Sequence, residues 1–289
     1  MKQLSLLLAA AFICLTTSAQ KDPNKVDTVH IGNITIIKKK GSGENEGWNK
    51  SIQLGRHTKN KPANVTTNWF LFDLGFANWD DKTNYNTVPS AYFANKPGQP
   101  ALGANDFKLR SGKSVDVNVW LFMQRLNLAK HYLNLQYGLG LELNNYRFQS
   151  NISFKENGNN PYPPYNVNGG SFILRDSIAF SKNKLAADYV TVPLMLHFTS
   201  NPYNSNKAIS LGFGVSAGYL YSQRNKQKSS ERGKDKNRGD YDMEKFKISY
   251  IAELGLGPVK LYGSYSPKSI FNNSLDFKPY NIGIRFSNW

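Results

Sequence analysis

Apolar and polar residues alternate with a period of two along much of this chain. In the segment YLNLQYGLGLELN (132–144), the odd positions from 133 to 143 hold Leu or Tyr, whereas the even positions from 134 to 144 hold Asn, Gln, Gly or Glu. Because successive side chains of a strand point to opposite faces, the segment predicts a strand with one apolar face and one face of small or polar residues. A soluble sheet can show this alternation as well, so the number and spacing of such strands must decide between a protein core and a lipid bilayer.

The alternation recurs often enough to predict eight strands after residue 66. They cover residues 69–79, 114–124, 132–144, 189–198, 208–222, 246–256, 259–266 and 279–289. The connections alternate between long and short, and the long ones include 80–113, 145–184 and 223–245. Outer-membrane barrels have an even number of antiparallel strands, long extracellular loops and short periplasmic turns. We therefore predict an all-β fold, an eight-stranded antiparallel transmembrane up-and-down β-barrel over residues 67–289, with a soluble secreted barrel or sandwich as the alternative.

The strand pattern also gives three local predictions. Met123 falls on the apolar, outward face of the second strand. Pro193 lies inside the fourth strand, and because proline has no N–H for the strand ladder, we expect a bulge there. Tryptophan and tyrosine concentrate at the two surfaces of a membrane, so we expect most of six such residues to form two bands. These residues are Trp69, Trp79, Trp120, Tyr146, Tyr221 and Trp289.

The N-terminus predicts export. Residues 1–19 combine Lys2, an apolar run and a small-residue ending, which is typical of a signal peptide cleaved between Ala19 and Gln20. The sole cysteine of the sequence, Cys14, lies in this segment, so we expect no disulfide in the mature chain. Residues 20–66 are polar and predict a flexible periplasmic leader, with an extra strand over 29–37 that pairs with the barrel as the alternative.

The inside of an eight-stranded barrel has room for side chains but not for an open channel. Charged residues of both signs fall at predicted inward positions, and because an isolated buried ion is costly, they should pair with one another. We predict a structural network in which Arg285 and Lys260 meet Glu142 or Glu253, with a proton or ion path through the lumen as the alternative. The full predicted set is Asp73, Asp116, Glu142, Lys247, Glu253, Lys260 and Arg285.

The chain is strongly basic, with 36 Lys and Arg against 20 Asp and Glu and a net charge of +16. Export argues against nucleic acid as a partner, so the excess charge points to the phosphates of an envelope lipid surface. Residues 224–238 concentrate this charge in a predicted loop, which is either a solvated loop tip or a contact for lipopolysaccharide phosphates or an acidic partner. The basic residues of this loop are Arg224, Lys226, Lys228, Arg232, Lys234, Lys236 and Arg238. As partners we expect outer-membrane lipid and lipopolysaccharide, the barrel-assembly machinery during insertion, and other envelope or secretion proteins.

The sequence predicts no catalytic, cofactor-binding or metal-ligating residues. Catalysis on lipid or peptide would need a histidine near the outer rim of the barrel. His30 and His57 fall in the leader, His131 in a short turn, and His197 near the periplasmic end of a strand. We therefore expect a protein that is not an enzyme and uses no cofactor.

Four segments carry a resemblance to a known family. They are DYVTVPLMLHF (188–198), the glycine-alternating strand at 208–222, AELGLGPVKLYGSYS (252–266) and the terminal NIGIRFSNW (281–289). With its core of Tyr189, Pro193, Leu194 and Leu196, the chain resembles the PorT-like outer-membrane β-barrel family over residues 67–289. The resemblance implies a small outer-membrane barrel without known catalysis, in a family whose members are linked to protein secretion. We expect a structural, adhesion or partner-binding role through the extracellular loops, with a secretion accessory and a narrow channel or transporter as the alternatives.

Overall fold

The structure, a computed structural model, describes most of the chain after residue 62 and three strands before it. The described residues are 27–31, 34–40, 48–54, 63–156, 160–163, 165, 170–272 and 275–287. The predicted signal peptide and Trp289 lie outside these residues.

Three strands in the segment predicted as a leader pair with one another. β1 (Asp27–Ile31), β2 (Ile34–Lys40) and β3 (Trp48–Leu54) form an antiparallel sheet in that order. Val29 pairs with Ile36, so the residues predicted as one extra strand belong to two paired strands instead. Pairing on both sides satisfies the backbone groups of the central strand, β2.

Twelve strands lie in the described residues from 63 onward. They are β4 (Val65–Asp81), β5 (Phe93–Ala94), β6 (Val115–Ala129), β7 (Leu133–Arg147), β8 (Ile152–Lys155), β9 (Phe172–Arg175), β10 (Lys182–Thr199), β11 (Ile209–Ser229), β12 (Gly233–Arg238), β13 (Phe246–Leu256), β14 (Val259–Tyr265) and β15 (Phe277–Phe286). Eight of them form a closed ring in which every neighbouring pair is antiparallel. The ring runs in chain order through β4, β6, β7, β10, β11, β13, β14 and β15, and β15 pairs back with β4. Closure leaves no unpaired edge among these eight strands.

The predicted alternation of faces holds along most of the ring. In β13, Lys247 and Glu253 are buried inside, whereas Phe246 and Ile248 are more than half exposed outside. Glycine on the inner face makes room for a large neighbour, since a Cβ at Gly140 would lie 2.6 Å from Cε3 of Trp120. The ring therefore has an apolar outward surface and a largely polar interior.

Two local predictions, for Met123 and Pro193, are wrong because the strands are irregular at positions other than those expected. The register of β6 against β7 shifts between Trp120 and Phe122, which reverses the alternation and buries Met123 inside the ring. Pro193 causes no bulge, because the register of β10 is continuous through it. The ladder with β7 is interrupted at Val192 and Pro193, where proline offers no donor.

The two ends of the ring differ in their connections. At one end the connections are short, such as the turn at Gly257 and Pro258 and the 3₁₀ helix Ser205–Lys207. At the other end the long connections are folded. There β9 pairs in parallel with β5 and antiparallel with β8, and two 3₁₀ helices lie at Ala104–Phe107 and Ser111–Lys113. We call the described residues within 82–114, 148–181, 230–245 and 266–276 the cap.

Candidate functional site

Arg285 lies at the centre of a buried ion cluster inside the ring. Its register places it directly opposite Asp73 of β4, and its Nε and Nη2 donate to the two oxygens of that carboxylate, each at 2.8 Å. The remaining nitrogen, Nη1, donates to Oε2 of Glu253 at 2.5 Å. Trp120 Nε1 also donates to Oδ2 of Asp73, at 2.7 Å. One guanidinium thus donates hydrogen bonds to two carboxylates in a fixed, forked geometry.

Glu142 organises a second buried cluster, nearer the cap. Lys247 forms an ion pair with Oε1 of Glu142, and Asn144 donates to the same oxygen at 2.9 Å. Thr191 Oγ1 donates to the other oxygen, Oε2, at 3.3 Å. Asn281 donates to Oδ1 of Asn144 at 3.1 Å, which ties β15 to β7 across the interior. The partner of Glu142 is therefore Lys247 of the predicted set.

Lys260 does not form the ion pair expected of it. It is buried, and within the described residues its Nζ has no hydrogen-bond partner. Of the two oxygens of Glu253, Oε2 accepts from Arg285, and His197 Nε2 lies 3.7 Å from Oε1. Asp116, the remaining member of the set, accepts a hydrogen bond from the hydroxyl of Tyr262 and one from Asn118 at 3.2 Å.

The sequence reasoning missed two interior residues near the short-turn end. His197 is 1% exposed, and its Nε2 lies 3.3 Å from Nη2 of Arg125. Arg125 was expected in a short turn, but β6 runs on to Ala129. The alternation already held a signal for His197, since it lies in step with the buried Thr191 and Met195. With these residues, four acidic and four basic side chains of the described ring strands point into the interior, namely Asp73, Asp116, Glu142 and Glu253, and Arg125, Lys247, Lys260 and Arg285.

A large apolar cluster closes the cap end of the ring. Trp79 stacks on Phe277 with ring centroids 4.7 Å apart and contacts Tyr146 at 4.6 Å. Phe107 of a cap 3₁₀ helix and Phe154 of β8 belong to the same buried cluster. The cap therefore packs onto the ring through a continuous hydrophobic core.

This cluster also corrects the prediction of two aromatic bands. Trp79, Trp120 and Tyr146 are buried because each lies at an inward position of its strand. Trp69 and Tyr221 are exposed on the outward surface, at 45% and 48%. The sequence signal for aromatic residues near strand ends did not distinguish a membrane surface from the base of a folded cap.

Little empty space remains between the two ion clusters. A cavity of about 30 Å³ lies there, lined by residues that include Trp120, Glu142, Tyr262 and Arg285. A water molecule needs at least roughly 10–15 Å³ of such space. The interior between the clusters thus has room for one or two waters.

The basic segment 224–238 is not the loop that was predicted, because it continues the sheet beyond the ring. β11 extends to Ser229, and β12 returns antiparallel to it. Lys184 of β10 lies directly opposite both Arg147 of β7 and Lys226 of β11, and Lys226 lies opposite Lys236 of β12. Directly opposite residues share a face, so these four basic residues form one row across four strands.

Residues two positions along each strand extend this row into a larger surface, which we call the outer basic face. It consists of Arg147, Lys182, Lys184, Arg224, Lys226, Lys228, Lys234, Lys236 and Arg238. The other side of the same strands is buried, as Asn183, Leu185 and Asn225 show. Arg232, also predicted for this surface, lies at the hairpin tip and instead pairs with Asp176 at 2.9 Å.

Comparison with known families decides the class of protein. The model of the outer membrane protein β-barrel domain matches residues 84–277, which is more than half of the chain. The chain belongs to this family. No curated protein and no solved structure matches the chain significantly. As an outer-membrane β-barrel protein, the chain is an integral protein of the outer membrane.

Membership of the outer-membrane β-barrel family accounts for the outward surface of the ring. Leu74, Leu211 and Ile284 are 51%, 52% and 43% exposed there, which is unfavourable in water and favourable against hydrocarbon. The part of the chain that the structure describes contains no helix long and apolar enough to cross a membrane. Among the same residues, no group of three or more His, Cys, Asp or Glu is arranged to hold a metal ion.

Proposed function

We propose that this protein is an eight-stranded transmembrane barrel of the PorT-like kind, sealed to ions, which acts through the cap on the outside of the cell. The ring anchors the protein, and the cap provides the surface for structural, adhesion or partner-binding contacts. The observation that carries the proposal is the apolar cluster between ring and cap. An open loop needs no such core, whereas a binding surface held in one conformation does.

The ends of the ring support this orientation. The first ring strand begins at Val65 and the last ends at Phe286, both at the end with short connections. Outer-membrane barrels keep short turns in the periplasm and long connections outside. The cap then faces the extracellular medium.

The filled interior favours a sealed barrel rather than a narrow channel. Two ion clusters and a cavity of about 30 Å³ occupy the lumen, and the apolar cluster lies above them. A hydrophobic constriction excludes water and ions. In planar bilayers we therefore expect no steady conductance from the purified protein. Regular, ion-selective current steps would overturn the proposal and favour the channel.

Contacts through the cap can be tested in whole cells. A photoreactive residue at exposed Lys96 in the cap should give cross-linked products, and the same residue at Lys207 near the short-turn end serves as the control. Products from Lys207 alone, containing secretion components, would instead support the secretion accessory that the PorT-like resemblance implies. Products from Lys96 that are lost when cells are treated with external protease would support the cap as the working surface.

We further propose that the protein is not an enzyme. His197 is enclosed within the ring beside Arg125 and Glu253, away from the rim where lipid or peptide substrates arrive. Lipase, phospholipase and peptidase assays of wild type and the His197→Gln variant should show no activity that depends on this histidine. A hydrolysis rate that the substitution abolishes would refute this part of the proposal.

A further inference from the structure

We propose that the outer basic face binds the phosphate groups of lipopolysaccharide, the phosphorylated glycolipid of the outer leaflet. The inference rests on the proposed function in one respect, since it requires the cap end of the ring to face outward. It names one ligand for that end of the molecule and the residues that hold it.

The outer basic face continues the surface that contacts lipid. In β10, Lys182 and Lys184 lie in step with the exposed Val190 and Val192, with the buried Ala186 and Asp188 between them. In β11, the exposed Tyr221 precedes Arg224 by three residues, which is about 10 Å along a strand. Tyrosine concentrates at the level of lipid headgroups, so the first cations of the face lie next to the headgroup phosphates of the same leaflet.

Most of the charge of the face has no acidic partner among the described residues. Asp188 pairs with Arg224, but in the described part of the chain no acidic side chain lies within ion-pair distance of Lys226, Lys228, Lys234 or Lys236. Like charges directly opposite one another destabilise a sheet. Bound phosphate would relieve this repulsion along the row that contains Lys184, Lys226 and Lys236. A surface built to repel itself is most simply explained by an anionic ligand that covers it.

The face is also held in position, unlike a solvated loop tip. On its buried side, Gln227 donates to Ser153 Oγ at 2.8 Å and Asn225 donates to Asn183 Oδ1 at 3.2 Å. At its tip, Arg232 donates to Asp176 at 2.9 Å. These contacts join the hairpin to the cap, so the cations need little further ordering on binding, which favours affinity.

The test measures binding of the full-length mature protein in detergent to two probes, bisphosphorylated lipid A and the same lipid without phosphates. The variant Lys184→Gln/Lys226→Gln/Lys236→Gln removes three cations of one row. Its matched control, Lys82→Gln/Lys96→Gln/Lys268→Gln, removes three exposed cations of the cap that lie outside the outer basic face. We expect the row variant to bind bisphosphorylated lipid A roughly 100-fold more weakly, and the control to bind as wild type does.

Three outcomes would overturn the inference. In the first, the row variant binds lipid A as tightly as wild type does. In the second, wild type binds both lipids with equal affinity. In the third, inorganic phosphate or an acidic protein, added at the same concentration as lipid A, abolishes the binding of lipid A. Heat-dependent gel mobility establishes that each variant is folded. Thiol labelling of a Ser230→Cys variant on intact cells tests the orientation separately. A thiol that is not labelled contradicts the proposed function. If the thiol is labelled but the row variant binds lipid A as wild type does, only the inference is contradicted.

Discussion

Replacement of Arg285 by methionine gives the sharpest test of the interior. Arg285 is 5% exposed, and its side chain forms ion pairs with Asp73 and Glu253, whose side chains are fully buried. Methionine fills a similar volume without charge or donors, so the change removes the cation and leaves two carboxylates in one enclosed space. We expect the folded state to lose stability because both charged groups stay out of water without the cation that pairs with them.

The size of the loss follows from what Arg285 contributes. Three charge-assisted hydrogen bonds, at 2.8, 2.8 and 2.5 Å, disappear together. Removal of one partner from a buried ion pair costs about 3–5 kcal/mol, and here one removal leaves two partners unpaired. We therefore expect a loss of free energy of unfolding in the upper part of that range. An exposed pair such as Lys268 with Glu244 should cost at most about 1 kcal/mol when broken.

The measurement is urea-dependent unfolding of the protein in lipid vesicles, followed by tryptophan fluorescence and gel mobility. Lys268→Met is the matched control for the loss of one positive charge. The triple variant Arg285→Met/Asp73→Asn/Glu253→Gln should regain much of the lost stability, since neutral groups are less costly to bury than charged ones. The reasoning is refuted if Arg285→Met costs no more than Lys268→Met, or if the triple variant is no more stable than the single one.

Three further predictions concern packing and the hairpin tip. Gly140→Ala should destabilise the ring by about 1–3 kcal/mol in urea unfolding, because the added Cβ would clash with Trp120. Gly263→Ala is the control and should be tolerated, since the nearest atom to its added Cβ is 3.5 Å away. Equal losses of stability in the two variants would contradict this prediction. Trp79→Ala should cost about 3–5 kcal/mol in the same assay without opening a conducting path, since the ion clusters still fill the lumen. Although burial opposes it, hydrogen bonds from the Ile178 N–H and the Arg232 guanidinium lower the pKa of Asp176. The ion pair between Asp176 and Arg232 therefore contributes its full stability above the ordinary aspartate pKa of about 4. This stability is lost as the pH falls through the lowered pKa of Asp176 in the folded protein. A spin label at Ser230→Cys should gain mobility over that window, and unchanged mobility at low pH would refute the role of Asp176.

Strand alternation carried most of the fold prediction. Whether a residue lies inside or outside a ring depends on its position in a period of two, so Glu142, Lys247 and Arg285 could be assigned to the interior without coordinates. Alternation failed where the register shifts, as at Met123, because a bulge depends on how two strands meet rather than on either strand alone.

The partners of the interior charges needed the tertiary structure. Asp73 lies opposite Arg285 only through closure of the ring, which joins residues at the two ends of the barrel sequence. Arg285 was expected to meet Glu142 or Glu253. It contacts Glu253 as well as Asp73, and Glu142 is left to Lys247. Periodicity shows which face of its strand a residue lies on. It does not show the position of that residue along the barrel axis relative to residues on strands far away in sequence.

The sequence by itself determined a chain of alternating strands with an apolar outer face, a charged interior and a concentration of basic residues at 224–238. These follow from local periodicity and composition, which need no knowledge of strand pairing. Only the tertiary structure decided that the long connections fold into a cap, that Trp79 and Tyr146 serve its core, and that the basic segment is a hairpin joined to Lys184 and Arg147. Each of these depends on contacts between distant segments, and such contacts set which residues share a surface.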